Sequence, residues 1–142
     1  MSIERIMTRP VVQVAMDDSL ARVKEMFERH QFHHLLVVED ERLVGVISDR
    51  DLLKALSPHL GTASENARDL ATLTKRAHQI MTRHPIVLRE KDSIRQAIQL
   101  FNTHRISCLP VVDAHARPVG IVSWRDILRA LHAAAPKEAT PA

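Results

Sequence analysis

At 142 residues and 45% hydrophobic composition, the chain suits one compact globular domain or two very small ones, and its 3% of aromatic residues predicts an aliphatic core. It has neither an apolar run of about 18 residues nor a signal-peptide pattern at its start, and Cys108 is its one cysteine, so we expect no membrane span, no internal disulfide and a cytoplasmic location. The formal net charge of +3 comes from scattered basic residues, which favours a solvated surface over a nucleic-acid-binding one.

The first half of the chain predicts a strand, a helix, a β-hairpin and a second helix. Leu20, Val23 and Phe27 recur at helical spacing after Asp18, a good N-cap, and so predict an amphipathic helix. Two apolar runs on either side of the polar turn 39–42 predict the hairpin. The predicted bounds are strand 11–14, helix 19–31, strands 35–38 and 43–47, and helix 49–56.

The second half repeats this order after a polar connection. Residues 58–65 are a predicted linker, and residues 66–79 a predicted single helix, because Leu70, Leu73 and Ala77 lie at helical spacing. The tail 135–142 has two prolines and no apolar pattern, which predicts disorder. The other predicted bounds are strand 86–88, helix 93–104, strands 109–112 and 119–122, and helix 124–134.

An internal repeat underlies this order. The opening Ile-Met-Thr-Arg at 6–9 recurs at 80–83, and Gly-Val-Ile-Ser-Asp-Arg-Asp-Leu at 45–52 recurs as Gly-Ile-Val-Ser-Trp-Arg-Asp-Ile at 120–127. The offset between the copies is 74 residues at the first match and 75 at the second. Neither copy could bury its apolar face alone, so we expect the pair to pack about a pseudo-twofold axis.

Each copy of the second motif places a serine where a strand ends and an aspartate in the first turn of the next helix. A helix N-terminus offers free N–H groups to phosphate, and the hydroxyl adds a donor. The aspartate can accept from both ribose hydroxyls, and the arginine before it can add positive charge near phosphates. Ser-x-x-Asp is also close to a capping box, which needs no ligand, so both interpretations stay open. The candidate binding residues are Ser48, Arg50 and Asp51 in the first copy and Ser123, Arg125 and Asp126 in the second.

The order β-α-β-β-α, found twice with these opening and closing motifs, resembles a tandem pair of CBS domains (a Bateman module) over about residues 6–131. With nothing attached, the chain is similar to stand-alone bacterial CBS-pair proteins, and its 76–82 lead-in to those of the acetoin-utilisation type. The resemblance implies an α+β fold with repeat 1 at 1–57, a helix-containing linker at 58–79 and repeat 2 at 80–134, followed by the tail.

For function, the resemblance implies a regulatory energy- or metabolite-sensing module that binds AMP, ADP, ATP or S-adenosylmethionine in clefts between the repeats. An unidentified protein would read the change that the ligand causes. The adenine would lie against the opening segment of each copy, with backbone groups reading the base edge. The implied positions are Thr8, Val11 and Val12 in the first copy and Thr82, Pro85 and Ile86 in the second.

The copies differ at positions that bear on binding. Trp124 stands where the first copy has Asp49, and its indole could stack on a base or pack at a dimer contact. Asp49 would repel a phosphate, which puts a triphosphate at the first motif in doubt. His34 and Cys108 are matched positions that could lie near the adenine, and the imidazole could make binding pH-sensitive.

Other functions have less support in the sequence. There are nine histidines, but neighbours on a strand point to opposite faces and no cysteine partner accompanies them, so we expect no metal site. No catalytic arrangement appears, so we expect no enzyme. Nucleic-acid binding lacks stacking aromatics and a basic helix. An interaction and dimerisation module with empty clefts is the main alternative, and exposed aliphatic positions on the repeat helices favour a homodimer.

Overall fold

The computed structural model describes residues 1–135 and contains the two predicted β-α-β-β-α units. The first unit comprises β1 (Gln13–Ala15), α1 (Leu20–Arg29), β2 (His34–Glu39), β3 (Arg42–Ser48) and α2 (Asp49–Ala55). Between the units lie α3 (Ala67–Ala71), α4 (Ala77–Ile80) and the short strand β4 (Thr82–Arg83). The second unit comprises β5 (Leu88–Arg89), α5 (Ile94–Thr103), β6 (Cys108–Val112), β7 (Pro118–Ser123) and α6 (Trp124–Ala134). The tail predicted to be disordered lies, apart from Ala135, outside the described residues.

The strands form two mixed sheets, so the fold is of the predicted α+β class. One sheet has the order β1-β2-β3-β4 and the other β5-β6-β7. In each unit the first strand runs parallel to the second, and the second and third form an antiparallel hairpin. Among residues 1–135, no helix has both the length and the apolar character that a membrane crossing requires.

The first strand of each unit lies later than predicted, at 13–15 rather than 11–14 and at 88–89 rather than 86–88. Pro10 and Pro85, which lack the N–H that a β-ladder needs, separate these strands from the earlier pairings of Thr8 and Thr82.

The single helix predicted at 66–79 was wrong. Asn66 caps α3, a 3-10 turn follows at 72–74, and Lys75 is extended before α4 begins. The carbonyl of Lys75 accepts the Leu20 N–H at 2.8 Å, and the Ala77 N–H donates to the Asp18 carbonyl at 2.8 Å. These bonds to the start of α1 need extended backbone at that point, so tertiary pairing overrides the helical spacing.

The cores of the two units exchange their lead-in segments. Ile3 and Met7 open the first repeat in sequence, yet they are buried in the second unit's core with Leu88, Leu109 and Val122. In the same way, Ala77 and Met81 are buried with residues of the first unit, among them Leu20, Leu35 and Ile47. Each hydrophobic core is therefore completed by a segment that the sequence repeat assigns to the other copy.

A glycine receives each exchanged methionine. A Cβ added at Gly45 would lie 2.5 Å from Met81 Sδ and 2.8 Å from its Cγ. At the matched Gly120, an added Cβ would meet Met7 Sδ at a similarly impossible distance and its Cγ at 2.8 Å. The glycine that opens each motif is thus required for close packing of the lead-in on β3 and β7.

The two sheets also contact each other directly. Leu36, Val46 and Cys108 form a buried cluster, with Val11 and Ile121 packed against it. Because side chains alternate along a strand, the neighbours of Leu36 on β2 face the first unit's core instead. The hairpins meet as well, since the Leu43 N–H donates to the Ala116 carbonyl at 2.9 Å. One module with a shared interior results.

The exchange predicts coupling between distant residues. We expect Gly120→Ala to destabilise the protein by about 1–3 kcal/mol, because the added methyl group overpacks the Met7 contact. The double variant with Met7→Ala should lose less stability in urea denaturation than the two single variants lose in sum, because the smaller side chain at position 7 makes room for the added methyl group. Gly120→Ala with Met81→Ala is the matched control and should be additive, because Met81 packs on Gly45. Additivity in both pairs would contradict the exchange.

Candidate functional site

The two serine–aspartate motifs lie at matched strand-to-helix turns, where β3 leads into α2 and β7 into α6. In α2, Ser48 Oγ accepts from the Asp51 N–H at 3.1 Å, and Asp51 Oδ2 accepts from the Ser48 N–H at 2.9 Å. The same reciprocal bonds join Ser123 and Asp126 at 3.4 and 2.9 Å. Both motifs are thus capping boxes in this structure, as one of the two interpretations predicts.

The caps use only one oxygen of each aspartate. Asp126 Oδ2 accepts from Ser123, whereas Asp126 Oδ1 accepts from the Thr8 hydroxyl at 3.4 Å. Asp51 Oδ1 accepts no hydrogen bond within residues 1–135, and Asp51 remains partly exposed. A second acceptor is therefore left at the start of each helix, so capping and ligand binding are compatible.

The opening threonines sit beside the motifs of the opposite copies. Thr8 exchanges backbone hydrogen bonds of 2.8 and 3.0 Å with Ile121, two residues before Ser123 on β7. Thr82 pairs with Val46, two residues before Ser48 on β3. The threonine of each copy thus lies beside the motif of the other copy, because the exchange of lead-in segments carries it to the other unit.

The exchange of lead-in segments produces two composite candidate sites, each with residues from both copies. The Asp51 site consists of Ser48, Arg50, Asp51, Thr82 and His34, which is the register partner of Ser48. The Asp126 site consists of Ser123, Trp124, Arg125, Asp126, Thr8 and Cys108, which is the register partner of Ser123. Both arginines and both threonines are exposed, as a ligand-accessible site requires.

The other residues predicted to contact adenine are partly buried, so less of their surface is open to a ligand. Val12 packs against the first unit's core and Ile86 against the second unit's core, so part of each side chain is committed to stability. Val11 packs between the two sheets. Pro85 is partly buried.

His33 and Ser107, the sequence neighbours of His34 and Cys108, also make contacts beside the candidate sites. His33 Nδ1 lies 2.9 Å from Asp49 Oδ2, and the Asp49 N–H donates to the His33 carbonyl at 2.9 Å. Ser107 Oγ lies 2.7 Å from His34 Nε2 and so joins the two units. The signal in the sequence was the mismatch itself, since His33-His34 stands where the second copy has Ser107-Cys108.

Burial favours the uncharged forms of His34 and Cys108, which lie at matched positions on β2 and β6. Burial lowers the pKa of His34, and Asp49 opposes this effect. Burial raises the pKa of the Cys108 thiol to about 12, so this thiol stays protonated at neutral pH. The neutral forms of both side chains are favoured beside the sites.

Within residues 1–135, neither a metal-binding group nor one of the two main surface depressions lies at these turns. Within the described residues, no three His, Cys, Asp or Glu side chains are grouped closely enough to hold a metal ion. Two open depressions of about 280 and 370 Å³ lie beside hairpin turns, away from both motifs. The first is lined by exposed charged side chains: Asp40, Glu41, Arg42, His115 and Arg117.

Known proteins match this arrangement of repeats. The family model of the CBS domain matches residues 3–58 and 77–133. The uncharacterized protein MJ1225 of Methanocaldococcus jannaschii is 32% identical over 89% of this chain and 46% of its own length. The inosine-5'-monophosphate dehydrogenase of the same organism is 28% identical over 89% of this chain and 23% of its own. The chain thus spans less than half the length of these curated relatives.

Solved structures show the same fold. The CBS domain pair of protein MJ0100 in complex with 5'-methylthioadenosine and S-adenosyl-L-methionine gives a TM-score of 0.77 at 28% identity, covering 94% of this chain and 97% of that one. CBSX2 in complex with AMP gives 0.75 at 26% identity, covering 93% and 96%. A protein assigned to acetoin utilization (AcuB) from Vibrio cholerae gives 0.75 at 22% identity, covering 94% and 91%, and shares the fold.

The burial of His34 predicts a pH dependence of stability. Folding lowers the pKa of His34 from its usual 6.5, so the unfolded chain binds more protons as the pH falls below about 6.5. Stability contributed by neutral His34 is present above that pH and is lost as the pH falls towards the folded-state pKa. We therefore expect His34→Gln to lose less stability than the wild type between pH 7.5 and 5.5 in urea denaturation.

His115→Gln, on the exposed hairpin turn, controls for the loss of one imidazole from the surface. Identical pH profiles for His34→Gln and the wild type would show that His34 does not carry this dependence.

Proposed function

Because the chain belongs to the CBS-domain family, we propose that it is a regulatory sensor of adenosine-containing ligands. The observation that carries the proposal is the second carboxylate oxygen of Asp51 and Asp126, which the helix caps leave available beside a serine and an exposed threonine. Similar CBS pairs hold 5'-methylthioadenosine, S-adenosyl-L-methionine or AMP, which share the adenosyl group.

The geometry supports a specific way of binding. The ribose hydroxyls would donate to Asp51 Oδ1, or to Asp126 Oδ1 in place of the Thr8 hydroxyl, and a 5' substituent would lie at the helix N-terminus near the serine. The adenine would lie towards Thr82 in the Asp51 site and towards Thr8 in the Asp126 site. The existing Thr8–Asp126 hydrogen bond, at 3.4 Å, is long and would give way to the ligand.

Crossed sites give ligand binding a direct route to regulation. Each site takes its aspartate from one unit and its threonine from a lead-in segment that the chain connects to the other unit. A ligand bridging the two would favour one relative position of the lead-in and the helix. The difference in affinity between positions supplies the free energy of the response, which a partner protein would read.

We further propose that the regulatory unit is a homodimer. Leu128 and Leu131 lie on one face of α6 and are 58% and 49% exposed. Leu53, the residue that matches Leu128, is 73% exposed on α2. Two matched apolar faces related by a pseudo-twofold axis suit a second copy of the chain, which would cover both faces at once.

The remaining proposals concern what the chain does not do and where it acts. Relatives such as inosine-5'-monophosphate dehydrogenase are several times longer than the matching region, so we propose that catalysis belongs to their other regions and that this chain is not an enzyme. A buried, protonated Cys108 without a cysteine partner suits a reducing compartment, and we propose the cytoplasm.

Ligand binding should raise thermal stability. AMP or S-adenosylmethionine at about 100 times its dissociation constant should add roughly 2.7 kcal/mol, a rise of several degrees in Tm. Asp51→Ala or Asp126→Ala should remove the rise at one site, because the ribose loses its acceptor. Gln96→Ala is the matched control, since Gln96 closes the capping box of α5 away from both sites.

Each alanine variant loses a cap worth about 1 kcal/mol, so its Tm without ligand should fall in the same way as that of the Gln96 control. No shift of the wild type with either compound would favour the alternative, an interaction module with empty sites.

Dimerisation should depend on the α6 face. We expect Leu128→Glu to give a monomer in sedimentation equilibrium, because a charge cannot be buried in an apolar interface without a large cost. Leu70→Glu, at a half-exposed leucine of α3, is the matched control and should remain a dimer. A monomeric wild type, or a dimeric Leu128→Glu variant, would contradict the proposed interface.

A further inference from the structure

The two sites differ in charge at one matched position. Asp49 is the first residue of α2, where Trp124 is the first residue of α6. Each motif also has one arginine at the next position, Arg50 or Arg125, so the arginines add no charge difference between the sites. The difference between the sites at the helix start is therefore one carboxylate against one neutral indole.

The lead-in segments do not compensate for this difference. Arg9 Nη2 donates to the Glu4 carbonyl at 3.4 Å, and the matched Arg83 Nη2 donates to the His78 carbonyl at 3.2 Å. These two arginines are matched and add no difference between the sites. Arg129, whose Nη1 lies 4.0 Å from Asp126 Oδ1, is matched by Lys54. The matched positions therefore carry equal numbers of cations, and the Asp51 site has one carboxylate more.

The Asp49 carboxylate is held at the Asp51 site rather than free to turn away. Its Oδ2 accepts from His33 Nδ1 at 2.9 Å, and its backbone N–H donates to the His33 carbonyl at 2.9 Å. Both contacts tie the start of α2 to the residue before β2. A 5'-phosphate at the Ser48 end of α2 would therefore meet the negative charge of Asp49, and the Asp49 N–H is already engaged by the His33 carbonyl.

The Asp126 site has the opposite character. Trp124 is uncharged and 59% exposed, so it repels no anion and offers an aromatic surface at the mouth of the site. The helix α6 has eleven residues, and Asp126 is the one carboxylate in its first turn. The free N–H groups of that turn are open to a phosphate without a neighbouring negative charge.

We infer that the two sites take different classes of adenosyl ligand, an inference that rests on the proposed function. The Asp126 site takes ligands with a 5'-phosphate, whereas the Asp51 site takes ligands whose 5' substituent is neutral or cationic. Asp49 and Trp124 are the residues that set this selectivity. The protein thereby compares a phosphorylated adenosine with an unphosphorylated one, rather than measuring one nucleotide twice.

Calorimetric titrations with three probes test the inference: AMP for the phosphorylated class, and S-adenosylmethionine and 5'-methylthioadenosine for the other. AMP binding should be lost in Asp126→Ala and kept in Asp51→Ala, and binding of the other two probes should follow the reverse pattern. Asp126→Asn and Asp51→Asn keep an acceptor for the cap and provide a second pair of variants if an alanine variant does not fold. Circular dichroism checks the fold of each.

A charge change then isolates the selectivity residue. Asp49→Asn should strengthen AMP binding at the Asp51 site by at least about tenfold, so that AMP now binds both sites. Asp40→Asn on the hairpin turn removes the same charge away from both sites and should leave AMP binding unchanged.

The outcomes separate the two proposals. If none of the three probes binds the wild type, the sensor proposal itself fails. If AMP binds but is lost in Asp51→Ala, or binds both wild-type sites, or is unaffected by Asp49→Asn, the sensor proposal stands and the division between the sites is overturned.

Discussion

Met7 against Gly120 and Met81 against Gly45 are the contacts on which the rest of the structure depends. Each places a lead-in segment on a strand of the other unit, at a distance that any Cβ would forbid. The neighbouring threonines are carried along, so Thr8 arrives beside Asp126 and Thr82 beside Ser48. Neither core would be closed without the exchange, and neither composite site would exist.

The strand-to-helix turns combine two functions in very few atoms. Ser48 and Ser123 end a buried strand and cap a helix, and the aspartates three residues later return the bond. This reciprocal cap fixes the aspartate side chain in one rotamer while using a single carboxylate oxygen. The helix cap thus orients the carboxylate oxygen that the ribose hydroxyls would need, which reduces the entropy lost when a ligand binds.

The two copies are alike in their hairpins and helix caps and differ at the candidate sites. The hairpins and the caps of α2 and α6 are alike in the two units, since five register pairs of the hairpins and the serine–aspartate capping bonds match. The differences gather at the sites, where Asp49 faces His33 and Trp124 is exposed, and where His34 contacts Ser107 across the units. A change of charge at the start of one helix, on an otherwise retained scaffold, is enough to make two equal sites unequal.

The sequence alone determined the repeat, the element order, the α+β class and the residues of both motifs, because hydrophobic periodicity and the serine–aspartate spacing are local signals. It also predicted that His34 and Cys108 lie near the candidate sites, through their matched positions. Only the tertiary structure decided that residues 66–79 are broken rather than one helix, since backbone bonds from Leu20 and to Asp18 require extended chain near Lys75. Only the structure paired Thr8 with Asp126 and His33 with Asp49. The first pairing joins residues 118 positions apart and follows from the crossing of the lead-in segments between units. The second joins residues 16 positions apart, where the β2–β3 hairpin brings its two ends together.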